Sequence, residues 1–236
     1  MANRVAANYT SSGGLTTHEI SFTAPAAGSR LIVAIICPGE IEPGGLYLPA
    51  DTSRNFVLDA AVNAFYTVGG GTATIFSIIS NGTETLLHVE PSFIDNADVL
   101  VWERDDCPAV LSSDTVEDDT TSLAMGVEIP DHGPGGLLVA VAHSNTNVSG
   151  NLTLGGMPTL TNYRNGVGVT GKRNVSSATP PAAGEYTWSV SGFPPPPFGG
   201  DAGLAVVTYG SPPGAAAVSR PTISLPRAAA QRASVW

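Results

Sequence analysis

The sequence predicts an all-β protein built as an antiparallel β-sandwich. Short apolar runs rich in β-branched residues recur at residues 30–36, 136–142 and 203–209. Each run is long enough for a strand and too short for a membrane helix. Gly and Pro number 27 and 19, and no amphipathic pattern is longer than two helical turns. Short strands joined by many turns are typical of β-sandwiches.

Alternating apolar residues and the apolar runs together place the strands. Ile20 and Phe22 fall on one face of a strand, and Tyr186 and Trp188 fall on one face of another. Residues 56–68 fit either a strand or a short helix, and alternation favours the strand. The predicted strands cover residues 18–23, 31–36, 56–68, 72–80, 83–89, 97–104, 123–129, 137–142, 152–154, 165–170, 184–190 and 203–209.

Loops and turns are predicted where glycine, proline and polar residues cluster. Residues 37–52 carry three prolines and three glycines, which predicts a long loop. Asn81-Gly82 is a strong hairpin signal and predicts that the strands on either side of it pair. Residues 105–121 form a predicted polar loop. Residues 1–17 are expected to be an N-terminal arm, so that residues 18–210 form the sandwich domain.

Two features leave alternatives open. In each half a strand ends at a proline, Pro25 or Pro130, and an apolar strand follows a Gly-bearing turn. This repeated pattern fits a duplicated supersecondary unit, or two unrelated hairpins with similar turn and strand preferences. The apolar runs at residues 31–36 and 137–142 also do not alternate, although a strand with one wet face should. Either loops cover their second face or another subunit does.

Charge is scarce and unevenly distributed. Charged residues are 13% of the chain, against about 25% in ordinary soluble proteins. Such a surface suggests cover by partner subunits. Residues 1–210 hold seven basic and twenty acidic residues, a net charge of −13, which disfavours nucleic-acid binding. Residues 211–236 hold three arginines and no acid. An acidic body with a basic tail favours tail-to-body contact between copies.

Two cysteines, Cys37 and Cys107, are predicted to remain unbridged. They lack metal-binding or redox spacing, and each adjoins a proline at the end of a strand. No signal peptide and no membrane-spanning segment are expected.

The apolar strands resemble those of β-sandwich virion proteins of tailed bacteriophages. The resemblance rests on residues 27–34, 135–140 and 202–207, in which a Gly-bearing turn or an Ala-Gly pair leads into an apolar strand. It covers roughly residues 18–210, although residues 43–47 replace a Gly-Trp turn that is frequent in the family. The resemblance implies a jelly-roll-like fold and a role in tails, fibres or capsid decoration. It implies no enzymatic residues, so we expect no catalytic site, cofactor or metal.

Other candidate sites are weaker. Asp114, Glu117, Asp118 and Asp119 cluster as calcium ligands do, but without the glycine-spaced pattern of a calcium loop. Glu103, Asp105 and Asp106 follow a strand, where glycosidase carboxylates can lie. The aromatic residues Tyr186, Trp188 and Phe193 are a possible sugar-stacking platform for a host surface glycan, together with Trp102.

The tail at residues 211–236 is predicted to be an extended arm. Its composition cannot build a core, yet it carries apolar residues that a plain linker does not need. We expect it to lie across a neighbouring acidic subunit, with arginines on carboxylates and apolar side chains in shallow pockets. The predicted partner-binding residues are Arg220, Ile223, Leu225, Arg227, Arg232 and Trp236.

The favoured function is a structural virion component, made in the host cytoplasm, that binds copies of itself and other virion proteins. The alternative is a carbohydrate- or receptor-binding module.

Overall fold

The computed structural model describes most of the chain and confirms the predicted fold class. Every regular element in the described part is a β-strand, and all paired strands are antiparallel. Among the described residues no helix is long and apolar enough to span a bilayer. The described residues are 3–11, 16–38, 41–64, 71–91, 97–118, 123–144, 153–155, 161–167, 172–191 and 202–212.

Sixteen strands are seen in the described residues, eight in each half of the chain. In the first half they are Arg4–Thr10 (β1), His18–Ser21 (β2), Arg30–Pro38 (β3), Ile41–Tyr47 (β4), Val57–Ala64 (β5), Gly71–Ile79 (β6), Leu86–Pro91 (β7) and Asp98–Arg104 (β8). In the second half they are Ala109–Asp118 (β9), Leu123–Ile129 (β10), Leu137–Ser144 (β11), Thr153–Gly155 (β12), Thr161–Val167 (β13), Lys172–Ala178 (β14), Gly184–Ser191 (β15) and Ala202–Gly210 (β16).

The second half repeats the topology of the first strand by strand. The first half forms a five-stranded sheet, β1-β8-β3-β6-β5, and a three-stranded sheet, β2-β7-β4. The second half forms β9-β16-β11-β14-β13 and β10-β15-β12. In each half the first strand pairs with the eighth and the second with the seventh. The third pairs with the sixth, as in a folded-over hairpin. The fifth strand pairs with the sixth, at the edge of the same sheet.

The two halves also share a glycine turn between their second and third strands. Gly28 and Gly133, which lie 105 positions apart, both adopt the left-handed backbone conformation, with φ of 84° and 64°. Ile32 pairs with Trp102 in the first half and Leu137 pairs with Tyr209 in the second, and all four side chains lie in the interior between the two five-stranded sheets. The repeated pattern in the sequence therefore belongs to a repeated eight-strand unit rather than to two independent hairpins.

The four sheets stack in four layers with three apolar interiors. One interior lies between the two sheets of the first half and includes Val33 and Leu87. Another lies between the two sheets of the second half and includes Ala140 and Trp188. The third joins the five-stranded sheets of both halves face to face. The central apolar strands are therefore buried on both faces, which explains why β3 and β11 do not alternate. The cover on the second face is the other half of the same chain.

Three predicted loop or arm segments contain strands instead. The long loop at residues 37–52 includes β4, and the polar loop at residues 105–121 includes β9. The predicted N-terminal arm includes β1, which pairs with β8. All three lie at the edge of a sheet. An edge strand needs only one bonded neighbour and tolerates the glycine, proline and polar residues that suggested loops.

The hairpin predicted at Asn81-Gly82 is wrong. The strands on either side of it, β6 and β7, belong to different sheets, so the turn carries the chain across the sandwich. Gly82 does adopt the left-handed conformation, with φ of 90°. The Asn81-Gly82 dipeptide therefore predicts a tight turn correctly, but the strands on either side of this turn do not pair with each other.

Candidate functional site: the seam between the two halves

The most distinctive polar arrangement lies at one end of the seam, which is the interface between the two five-stranded sheets. Arg30 begins β3 and reaches across to the second half. Its Nε–H donates to the Cys107 carbonyl oxygen at 2.9 Å, and its Nη2 donates to the carbonyl of Pro108. Its Nη1 donates to Ser77 Oγ at 2.7 Å within the first half. One guanidinium thus fixes the start of β9 to the first five-stranded sheet.

Asp59 and Tyr209 join the halves beside Arg30. The Tyr209 hydroxyl donates to Asp59 Oδ2 at 2.7 Å, and Ser113 Oγ donates to the Asp59 carbonyl at 2.6 Å. Burial raises the pKa of Asp59, although hydrogen bonds from Ser77 and Tyr209 and the charge of Arg30 oppose it. Burial also raises the pKa of the Tyr209 hydroxyl well above its usual value. A hydroxyl that is hard to ionise remains a hydrogen-bond donor, as it is here to Asp59.

The connection between the halves is held by Arg104 and Asp106. Arg104 Nε donates to Asp106 Oδ1 at 2.9 Å, and its Nη2 donates to the carbonyl of Gly135 at 2.7 Å. Gly135 has φ of 90°, and a Cβ at this position would lie 2.3 Å from Asp106 Oδ2. Only glycine fits there, because the turn before β11 packs directly on the connection.

Both cysteines are free and buried, as the sequence predicts. Burial raises the pKa of Cys107 to about 12, so its thiol stays protonated at neutral pH and is a poor nucleophile.

The acidic candidates do not assemble into a site. Glu103 is buried, and it accepts hydrogen bonds from Arg4 Nε at 2.7 Å and from the Ala26 backbone N–H at 2.6 Å. Asp106 is engaged by Arg104. The calcium candidates Asp114, Glu117 and Asp118 lie along β9, and Asp119 lies outside the described residues. Within the described part of the chain no three His, Cys, Asp or Glu residues could hold a metal ion.

The structure buries both tryptophans of the possible sugar-stacking platform. Trp188 is fully buried in the interior of the second half, so its ring cannot stack on a sugar. Trp102 is buried in the seam. Tyr186 packs partly against the same interior as Trp188, and its hydroxyl donates to the Ala182 carbonyl at 2.8 Å. Phe193 lies outside the described residues.

A cleft that sequence reasoning missed opens between β9 and the outer sheet of the second half. It has a volume of about 500 Å³, and its lining includes Asp114, Glu128, Glu185 and Tyr186. Glu128 and Glu185 lie directly opposite each other on β10 and β15. Burial and the charge of Glu128 raise the pKa of Asp114. The cleft is acidic, and the like charges across it destabilise the pair of strands.

A second cleft, also about 500 Å³, lies beside the turn between β6 and β7 and is lined in part by Arg54 and Glu84. The Glu84 carboxylate accepts hydrogen bonds from Ser80 Oγ at 2.7 Å and from backbone N–H groups of residues 81–83. It also pairs with Arg54. Burial favours the neutral acid, but Arg54 and the other donors outweigh burial and lower the pKa of Glu84 to about 2. Glu84 therefore organises the turn.

Replacing Glu84 by glutamine should lower the free energy of unfolding at pH 7 by about 2 kcal/mol, after allowance for screening at the open cleft. The folded-state pKa lies below the usual value. The stabilisation is therefore present above about pH 4.5 and is lost as the pH falls toward 2. Urea denaturation at pH 7, 4 and 2.5 should show the difference between the two proteins shrinking. The matched control is Glu19→Gln, an exposed carboxylate, which should change little. A pH-independent loss would contradict the assignment.

At the open end of the seam the structure leaves apolar side chains exposed. We call Val57, Ile79 and Val110 the seam patch; their side chains are 63%, 43% and 37% exposed. The predicted partner-binding residues of the arm lie outside the described residues, so their positions are not part of this geometry.

Compared with known proteins, the chain matches no protein-family model, no curated protein and no solved structure. The resemblance to virion proteins therefore remains a hypothesis based on the strand pattern.

Proposed function

We propose that this chain is a structural subunit of a tailed-bacteriophage particle, acting through contacts with copies of itself and with other virion proteins. The observation that carries the proposal is the charge division between a body of net charge −13 and an arm with three arginines and no acid. Opposite charges on two parts of one chain favour contacts between copies and guide their approach.

The body has the properties of a scaffold. Its four layers give three buried interiors, and the charged groups at the seam are used to hold the halves together. Arg30, Asp59, Arg104 and Asp106 all have partners within the chain. The resemblance of residues 18–210 to virion sandwiches agrees with such a role. The glycan-binding alternative has less support, because Trp188 is buried.

Removing residues 214–236 should leave the body folded but weaken association by at least about tenfold, equivalent to 1.4 kcal/mol. The arm contributes both its arginines and its apolar side chains to the contact. Association is measured by sedimentation over a range of concentrations, and folding by circular dichroism and thermal melting. Added salt should reproduce part of the loss in the full chain, because it screens the arginine contacts.

A matched variant separates charge from length. Replacing Arg220, Arg227 and Arg232 by glutamine keeps the arm but removes its charge, and should weaken association and its salt dependence together. Electron microscopy of assembled particles, with the protein labelled, tests the location. A full chain that stays monomeric at high micromolar concentration and binds no particle would overturn the proposed function. Unfolding on truncation would instead mean that residues 214–236 belong to the body.

A further inference from the structure

The seam patch lies on the faces of the two five-stranded sheets that look toward each other. Val57 is paired with Ser77 on β6, and Ile79 lies two residues further along the same face. Val110 is paired with Tyr209, whose side chain is part of the seam interior. Residues deeper in the seam on these faces, such as Ile75 and Val207, are fully buried. The patch lies at the end of this interior, beside the contact between Arg30 and Ser77.

The arm leaves the body beside this patch. Gly210 pairs with Ala109, the residue before Val110, and the backbone N–H of Ser211 donates to the His132 carbonyl at 3.1 Å. The start of the arm is thus fixed at the mouth of the seam.

The apolar residues of the arm lie more than ten residues beyond its exit from the body. Ile223 and Leu225 follow Gly210 by 13 and 15 residues, with three prolines in between. At about 3.1 Å per residue, 13 residues of extended chain span about 40 Å, which is long enough to reach a neighbouring copy. The spacing of two between Ile223 and Leu225 places both on one face of an extended strand.

We propose that the seam patch receives the arm of a neighbouring copy, with Ile223 and Leu225 covering Val57, Ile79 and Val110. This rests on the proposed function and gives its subunit contact a location. Each copy then supplies one arm and one patch. Two copies can therefore exchange arms as a closed dimer, or successive copies can pass arms head to tail in a larger ring or a filament.

A cross-linking experiment tests the donor and the acceptor together. Ile79→Cys and Leu225→Cys are made in separate full-length proteins, which are mixed and treated with a short bis-maleimide. The native cysteines are 1% and 0% exposed, so they are protected in the folded protein. We expect a covalent dimer in the mixture and in neither protein alone. No dimer in the mixture would overturn the proposal. So would cross-linking within single chains of the double variant at high dilution, which would place the arm on its own body.

Surface variants test the energetics. Val57→Ser combined with Ile79→Ser should weaken association at least about tenfold, as measured by sedimentation. The matched control is Leu58→Ser. Leu58 is adjacent and 53% exposed, but it pairs with Phe76 on the opposite face of the sheet, so association should be unchanged. If arm deletion weakens association and the seam variants do not, the site is wrong but the proposed function stands. If the full chain never associates, the proposed function itself fails.

Discussion

Replacing Trp188 by alanine should lower the free energy of unfolding by about 3–5 kcal/mol, the usual cost of deleting a buried Trp side chain. Trp188 lies on β15, the central strand of its three-stranded sheet, and is fully buried among residues such as Met125 and Leu138. Its removal leaves a cavity that the surrounding sheets cannot fill. Urea denaturation monitored by circular dichroism measures the loss.

The matched control is Trp188→Phe. The indole N–H has no hydrogen-bond partner among the described residues. Phenylalanine therefore removes volume but no hydrogen bond and should cost much less than alanine. An alanine variant with unchanged stability but lost glycan binding would restore the platform hypothesis and contradict the buried position.

Replacing Arg30 by alanine should cost about 3 kcal/mol, because several groups lose a charged partner at once. The carbonyls of Cys107 and Pro108 lose their donor, and so does Ser77 Oγ. Asp59 also loses the positive charge that favours its ionised form. Denaturation at pH 7 measures the change in the free energy of unfolding.

The Arg30→Lys variant separates charge from geometry. Lysine keeps the positive charge but lacks the planar fork that reaches all three acceptors. We expect a loss between those of the wild type and Arg30→Ala. If Arg30→Lys equals the wild type, the charge alone matters. If Arg30→Ala itself is neutral, Arg30 does not hold the halves together.

The sequence predicts the buried strands well and the edge strands poorly. β3, β11 and β16 are continuous apolar runs because both faces are buried, and that pattern is visible without a structure. β1, β4 and β9 each have a bonded neighbour on one side only, so their composition resembles that of loops. β14 was missed as well, although it lies inside its sheet. Its sequence, KRNVSSA, has a single large apolar residue.

The seam was not predictable for a different reason. The apolar residues on both faces of β3 and β11 indicate that something covers each face. A local sequence pattern does not show whether a loop, another subunit or a distant part of the same chain covers the second face. Arg30 and Tyr209 are 179 positions apart, and nothing in their neighbouring residues links them. The burial of Trp188 was not predictable for a related reason. Alternation shows that Tyr186 and Trp188 share a face of a strand, but it does not show whether that face is exposed to solvent.

The seam also affects how the protein is made. The eight strands of the first half are complete at Arg104, but the seam-facing side chains of that half, including Ile32 and Ile75, are covered only by strands that follow. At about 5–20 residues per second, the ribosome needs roughly 5–20 s to add the 106 residues that complete the second half. Throughout that interval the seam-facing apolar residues of the first half lack their native cover, a condition that favours aggregation and contact with chaperones.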